Sequence, residues 1–251
     1  MFSFSALYHV ILYQPIFNLF VGLYNLVPGH DVALVILIIT ILVRLLVYPL
    51  TSSAIKAQKS VQDLQPKIDA LKKEFPGDQQ KQSQAMMELY KQNKVNPFAS
   101  CLPLLIQLPI LIALYSVMRD GLMSANLGSA LYPFVQNPGQ INSVSFGFFN
   151  MAKPNYILAV LAGLAQWWQA KTMLTKRPPA NAGAGAKDEA MLATMNKQML
   201  YFMPLMTVVI GISLPAGLTL YWFFSTVLMA LQQLWLFKKS AAATPAVIDQ
   251  K

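Results

Sequence analysis

Residues 32–50 read VALVILIITILVRLLVYPL, apolar throughout except for Thr40 and Arg44. As a helix this run measures about 28 Å at 1.5 Å per residue, close to the hydrocarbon thickness of a bilayer. It reads as a transmembrane span that carries one arginine. Arg44 falls about 18 Å along the axis from Val32 and about 9 Å from Leu50, inside the span and nearer its C-terminal end. A guanidinium at that depth must find water, lipid phosphate or a partner. Two readings follow. Either Arg44 snorkels to the near interface and anchors the helix, or it faces a wet cavity in a helix bundle and attracts acidic groups on something passing through.

The rest of the chain supports the membrane setting. Hydrophobic residues make up 55% of the sequence and charged residues 12%, against about a quarter charged in soluble domains. The net charge of +9 need not signal nucleic acid, because basic residues collect in the cytoplasmic loops of membrane proteins and face anionic lipid there. The one cysteine, Cys101, excludes an internal disulfide and a multi-cysteine metal site. His9 and His30 stand apart, and neither an HExxH motif nor a GxxxxGK[ST] phosphate loop is present. Structural roles are expected for all three residues, with no catalytic group, metal or cofactor, and the chain is expected not to be an enzyme.

Residues 1–31 hold no Lys or Arg, so the charged start of a signal peptide is missing. Gln14, Asn18, Gly22 and Asn25 share one helical face, and Pro28-Gly29 end the pattern. This predicts an amphipathic helix in the interface plane after Pro15. Residues 32–50 are the first span. Over 51–97 the composition turns polar. Val61, Leu64, Ile68, Leu71 and Phe75 form a helical stripe, Pro76-Gly77 a turn, and Asp78 a cap for a second helix through Lys94. The segment reads as a cytoplasmic helical hairpin whose stripe docks another surface. Asn96-Pro97 opens the next helix. Residues 98–237 hold four more spans: 98–118, bent at Pro103 and Pro109 with polar Gln107 between them; 156–171, with Gln166 and Gln169 beside Trp167 and Trp168; 199–214; and 218–237. A low-complexity basic stretch precedes the fourth, followed by a cap at Asp188 and a methionine side, Met191, Met195, Met199, Met203 and Met206, that reads as packing. Residues 238–251 form a short basic tail.

Charge placement orients the chain. The segments assigned inside carry sixteen Lys or Arg and those assigned outside two, Arg119 and Lys153. The expected topology is therefore N-out and C-in with five spans.

Arg44 followed by Pro49, the run NPFASCLPLLIQLPILIALY at 96–115, and LPAGLTLYW at 214–222 with Gln232 and Gln233 after it resemble the YidC/Oxa/Alb membrane protein insertases. The likeness covers roughly residues 15–238, in that family's order of interfacial helix, span, cytoplasmic hairpin and four more spans. It implies an all-α polytopic membrane protein whose five transmembrane helices enclose a hydrophilic groove, open to the cytoplasm and to lipid and closed outside. The groove arginine would be Arg44, and client contacts would fall on Thr40 and Trp222. Gln107 and Gln166, polar within their spans, complete the expected groove residues. A partly hydrated groove shortens the apolar path of a client's polar tail, and a fixed charge offsets the desolvation of acidic tail residues.

The partners so implied are nascent client membrane proteins and membrane lipids, with the ribosome and a Sec translocon as further expected partners and no nucleic acid. The added first span and large periplasmic domain of Gram-negative members are missing, as is the lipoprotein cysteine of many Gram-positive ones, so a compact protein of the bacterial plasma (inner) membrane is expected. A small secondary transporter or channel with Arg44 as an anion site is the alternative, and an internal inverted repeat would favour it. The sequence shows none. The hairpin, tied to the bundle only at its ends, is expected to move as a unit.

Overall fold

In the computed structural model the described residues are 4–96, 102–123, 127, 130–173 and 198–243. The expectations for Pro97, Cys101, Asp188, Met191 and Met195, and most of those for the low-complexity stretch and the tail, lie outside them.

The chain begins with a continuous helical run: α1 (Phe4–Tyr8), a π turn (His9–Tyr13) and α2 (Gln14–Leu26). Pro15 explains the π turn. A proline inside a helix withholds one N–H and presses its ring on the carbonyl four residues back. Widening the preceding turn, with the Gln14 N–H bonded to His9 O, accommodates both effects. The helix therefore starts well before Pro15. Its polar face also differs from expectation: it meets protein. Asn18 is buried, donating through Nδ2 to Ala130 O (2.9 Å) and accepting from the Tyr132 N–H (2.6 Å). Asn25 donates to Gln136 O, and the Tyr24 hydroxyl accepts from the Asn142 N–H. The amphipathic pattern marks the face on which the loop after the second apolar helix is laid.

Asp31 caps α3 (Val32–Leu46), accepting from the N–H groups of Ala33 and Leu34. The helix stops at Leu46, four residues short of the end of the apolar run, and α4 (Tyr48–Asp63) leaves at 66°. Pro49 in the first turn of α4 is the cause: it cannot donate to the helix behind it, and its ring clashes with the carbonyl of Leu45.

α4 leads into α5 (Gln65–Glu74), and α6 (Gln79–Gln92) packs back on α5. Asp78 caps α6 through the Lys81 N–H, which with the Lys81 ammonium holds its carboxyl below the usual carboxylate range. The apolar stripe is largely spent within this layer. Leu64 and Ile68 are buried, and the Gln82 amide, also buried, donates to Phe75 O. The stripe offers less of a docking surface than its periodicity suggests.

α7 (Leu102–Met123) contains Pro109 and remains one helix. After it the loop forms a two-residue hairpin, β1 (Val144–Ser145) antiparallel to β2 (Phe149–Asn150), turned through Phe146 and Gly147 at positive φ. This hairpin ties two helix starts together. Ser145 Oγ accepts from the Ala33 N–H, and Asp31 accepts from the Phe146 N–H, both at the head of α3. Met151 O and Lys153 O accept from the N–H groups of Gly217 and Ala216, at the head of the last helix.

α8 (Tyr156–Met173), a second π turn (Gln198–Phe202), α9 (Met203–Gly211) and α10 (Ala216–Ala243) complete the bundle. α8 lies against both α9 and α10. The approach to α9 is close because Gly163, Ala159 and Gly211 carry little or nothing there: a Cβ on Gly163 would strike Val208 Cγ2 and lie 3.1 Å from Pro204 O. One apolar core joins α2, α3, α7 and α10 through Phe17, Phe20, Ile36, Ile39, Leu114, Met118, Leu218 and Tyr221.

Ala6–Leu26, Leu105–Leu122 and Ala216–Lys239 are long and apolar enough to cross a membrane, and the bent pair α3–α4 makes a fourth if counted as one span. The protein is all-α and polytopic, as expected, but this set is not the five expected. α8 carries Gln166, Gln169 and Lys171 toward its end, and α9 has only nine residues.

Candidate functional site

Arg44 lies in the last turn of α3, just before the bend at Val47. Its Nε and Nη2 both donate to Ser225 Oγ on α10, at 3.0 and 2.7 Å. Ser225 is 1% exposed and Arg44 half-buried. One turn earlier on the same face of α10, Tyr221 is also buried, and its hydroxyl accepts from Gln107 Nε2 of α7 at 2.8 Å. Three helices thus bring Arg44, Ser225, Tyr221 and Gln107 into one polar seam within otherwise apolar segments.

The electrostatics of the seam are one-sided. The ion pairs among the described residues are Lys81–Asp78 and Arg119–Asp120, neither near Arg44. Ser225 offers Arg44 a hydroxyl dipole and no charge, so among the described residues no fixed anion neutralises the guanidinium. Above the seam the packing is dry: Ile36, Ile39, Leu114, Met118, Gly217, Leu218 and Tyr221 converge, and a Cβ on Gly217 would come within 3.0 Å of both Ile36 Cδ1 and Met118 Sδ. Arg44 is half-buried, so an anionic group can approach it from its exposed side and not through this packing.

Of the five residues singled out in the sequence, Arg44 and Gln107 join this seam. Thr40, one turn above Arg44, is 0% exposed and donates its hydroxyl to Ile36 O at 2.6 Å. A client reaches it only after the helices around it part. Trp222 is half-buried beside Tyr221, and Gln166 is half-buried on α8, with no hydrogen bond to the seam among the described residues. Sequence reasoning missed Ser225 and Tyr221. The available signal was their i, i+4 spacing, which puts two hydroxyls on one face of an apolar helix. No three His, Cys, Asp or Glu side chains among the described residues gather as a metal site.

A second polar tier lies at the other end of α10. Gln232 Nε2 donates to Ser52 Oγ (2.9 Å) and Thr51 Oγ1 (3.1 Å) and reaches Tyr48 O (3.5 Å), all in the first turns of α4. Its neighbour Gln233, fully buried, accepts from the Thr172 hydroxyl of α8 at 3.0 Å.

Comparison with known proteins places this arrangement in a family. The family model described as 60Kd inner membrane protein matches residues 22–243. A membrane protein insertase YidC from Fusobacterium nucleatum is 35% identical over 208 residues, covering 82% of this chain and 86% of the relative. A second YidC, from Oceanobacillus iheyensis, is 35% identical over 226 residues, covering 88% of this chain and 79% of the relative. A third, from Tolumonas auensis, is 34% identical over 226 residues, which make up 36% of its own length.

Proposed function

Since the chain belongs to the family of the YidC membrane protein insertases, we propose that the seam at Arg44 is where it receives the segments it inserts. As a multi-pass bacterial membrane protein and an insertase, it has client membrane proteins as its partners. The observation that supports the seam as their route is a half-buried guanidinium held by a neutral hydroxyl, with no carboxylate paired to it among the described residues. Such a group attracts acidic residues of a passing chain and offsets part of their desolvation. On this reading Thr40 and Trp222 flank the seam and Gln107 supplies its polar lining on α7, while Gln166 stands apart on α8.

The hypothesis is tested by reconstituting the purified protein into liposomes and following a small single-span client whose short N-terminal tail must cross. Protease protection of the tail that needs the protein and exceeds that of empty liposomes is the expected result. Protection equal to that of empty liposomes refutes the route as a working one. The ribosome and a Sec translocon are further partners on this reading, approached from the side of the lysine-rich hairpin, and lipid faces the exposed leucines of α3 and α7.

Orientation follows from the charge bias: the N-terminus outside and the C-terminus in the cytoplasm, with five crossings. The N-terminal helix is then an interfacial cap. Its hydrogen-bond partners begin at Ser116 and Asp120, near the end of α7, and continue into the loop beyond, as suits a helix laid across the outer end. Phe134, Phe146 and Phe148, exposed on that loop, suit the headgroup level. In a Cys101→Ser background, a cysteine placed at Leu7 should react with an impermeant thiol reagent added to whole spheroplasts. Reaction only after lysis would reverse the assignment.

A further inference from the structure

We propose that Gln232 is a positioning residue: a latch that holds the stem of the cytoplasmic hairpin against α10 and releases it when a client segment is admitted to the seam. The inference rests on the reading of the Arg44 seam as the client route, and it starts from an asymmetry between the two ends of the α3–α10 pair.

At the outer end the pair is pinned by main-chain groups. The N–H groups of Ala216 and Gly217 bond to Lys153 O and Met151 O at 2.9 Å each, and Met151 N–H bonds to Ser143 O at 2.7 Å. The Phe146 N–H bonds to Asp31 at 2.7 Å, and the Ala33 N–H to Ser145 Oγ at 3.0 Å. These bonds close one small hairpin over both helix starts, and Ser145 is buried. Breaking them would strand buried main-chain donors. Midway, Arg44 and Ser225 cross from α3 to α10 by hydrogen bond, alone among the described residues.

At the cytoplasmic end the hydrogen bonds between α4 and α10 among the described residues come from one side chain, beside apolar packing that buries Ala54 and Ile55. The Gln232 amide spans the first turns of α4 at Tyr48, Thr51 and Ser52, directly after the 66° bend at Val47. The Thr51 hydroxyl lies within reach of Val47 O, Tyr48 O and Gln232 Oε1, so it can turn from the amide to its own helix without losing a partner. Lys59 Nζ, 5.5 Å from the centre of the Phe237 ring, is a looser contact farther along the same two helices. Gln232 is half-buried, so water can replace the bonds of its amide as they break, while the buried Ser52 hydroxyl turns to a main-chain carbonyl of its own helix as Thr51 does, at a net cost of about one hydrogen bond. The outer end therefore acts as the hinge and Gln232 as the catch. When it opens, α4 swings about Val47 and carries the hairpin off the mouth of the seam. Gln233, bound to Thr172, keeps α10 on α8 meanwhile.

Hydrogen exchange in nanodiscs tests the catch without any client. Gln232→Leu should speed exchange of the amides of Tyr48–Asp63 about tenfold, the loss of roughly one net hydrogen bond, and leave Leu105–Leu122 unchanged. Thr51→Val with Ser52→Ala removes the same bonds from the other side and serves if the leucine variant does not fold. Adding Gln232→Leu to that pair should bring no further acceleration.

Release is tested by bridging. With Cys101→Ser, cysteines at Ser52 and Gln232 joined by a short disulfide-forming bis-thiosulfonate should lower liposome insertion at least tenfold, with recovery on reduction. Unchanged exchange in α4, or bridged protein inserting at the unbridged rate, overturns the proposal. The seam reading fails separately, by equal handling of acidic and neutral clients when Arg44 is removed.

Discussion

Arg44→Ala is expected to lower insertion of a client with an acidic translocated tail by between tenfold and a hundredfold, while a matched client with the carboxylates replaced by amides loses little. The estimate follows from Coulomb's law: one charge pair about 5 Å apart at an effective dielectric of about 20 is worth roughly 3 kcal/mol, and hydration of the seam reduces it. Arg44→Lys should retain most of the acidic client's rate, because a point charge suffices for attraction. It should not retain all of it, since an ammonium cannot reproduce the paired Nε and Nη2 donation to Ser225 that aims the charge. A guanidinium that only anchored α3 would behave differently. Alanine would then change accumulation of the protein without distinguishing the two clients. The measurement is initial insertion into liposomes at matched protein density. Equal rates for both clients with Arg44→Ala, at the wild-type level, would show that the charge plays no part in recruitment.

The second large effect is one of packing. Gly163→Leu should abolish accumulation of folded protein, and Gly163→Ala should cost about 1–3 kcal/mol, the usual penalty for forcing volume into a closed core. The cause is local. The new Cβ meets Val208 Cγ2 and the main chain at Pro204 O, and the main chain cannot move aside as a side chain can. Val208→Ala removes the first obstacle and leaves the second, so in the Gly163→Ala background it should restore part of the lost thermal stability in detergent. The two substitutions share one contact and should therefore be strongly non-additive. Additive behaviour would mean that α8 and α9 do not meet at Gly163.

The residues explain why some of this was legible in the sequence and some was not. Arg44 and Gln107 stood out because a polar side chain in an apolar helix needs a partner wherever it lies. Their partners did not, since Ser225 and Tyr221 are ordinary in composition and gain meaning only when α10 is set beside α3, 181 residues away in the case of Arg44 and Ser225. Periodicity identified the polar face of the N-terminal helix and the stripe of the hairpin, but a face has no label for what covers it. Asn18 turned out to be held by the outer loop, and Leu64 and Ile68 lie buried in the hairpin layer. The end of the first apolar helix was misplaced for a different reason. Hydropathy continues to Leu50, whereas backbone geometry is broken by Pro49. At this point of the chain, where composition and stereochemistry disagree, Pro49 decides, whereas Pro109 is absorbed within α7.

The close packing at the starts of α3 and α10 also bears on how a membrane holding this protein would keep its charge. Among the described residues, Gly217, Ile36, Met118 and the hairpin over the starts of α3 and α10 pack closely between the Arg44 seam and that end. On the proposed route, a client that entered from the cytoplasm and left sideways into lipid would open no conducting pore through this packing for protons and ions to follow. The energy stored across the membrane would then remain available to pull charged tails over, and an insertase built this way would need neither a plug nor a gate timed against leakage.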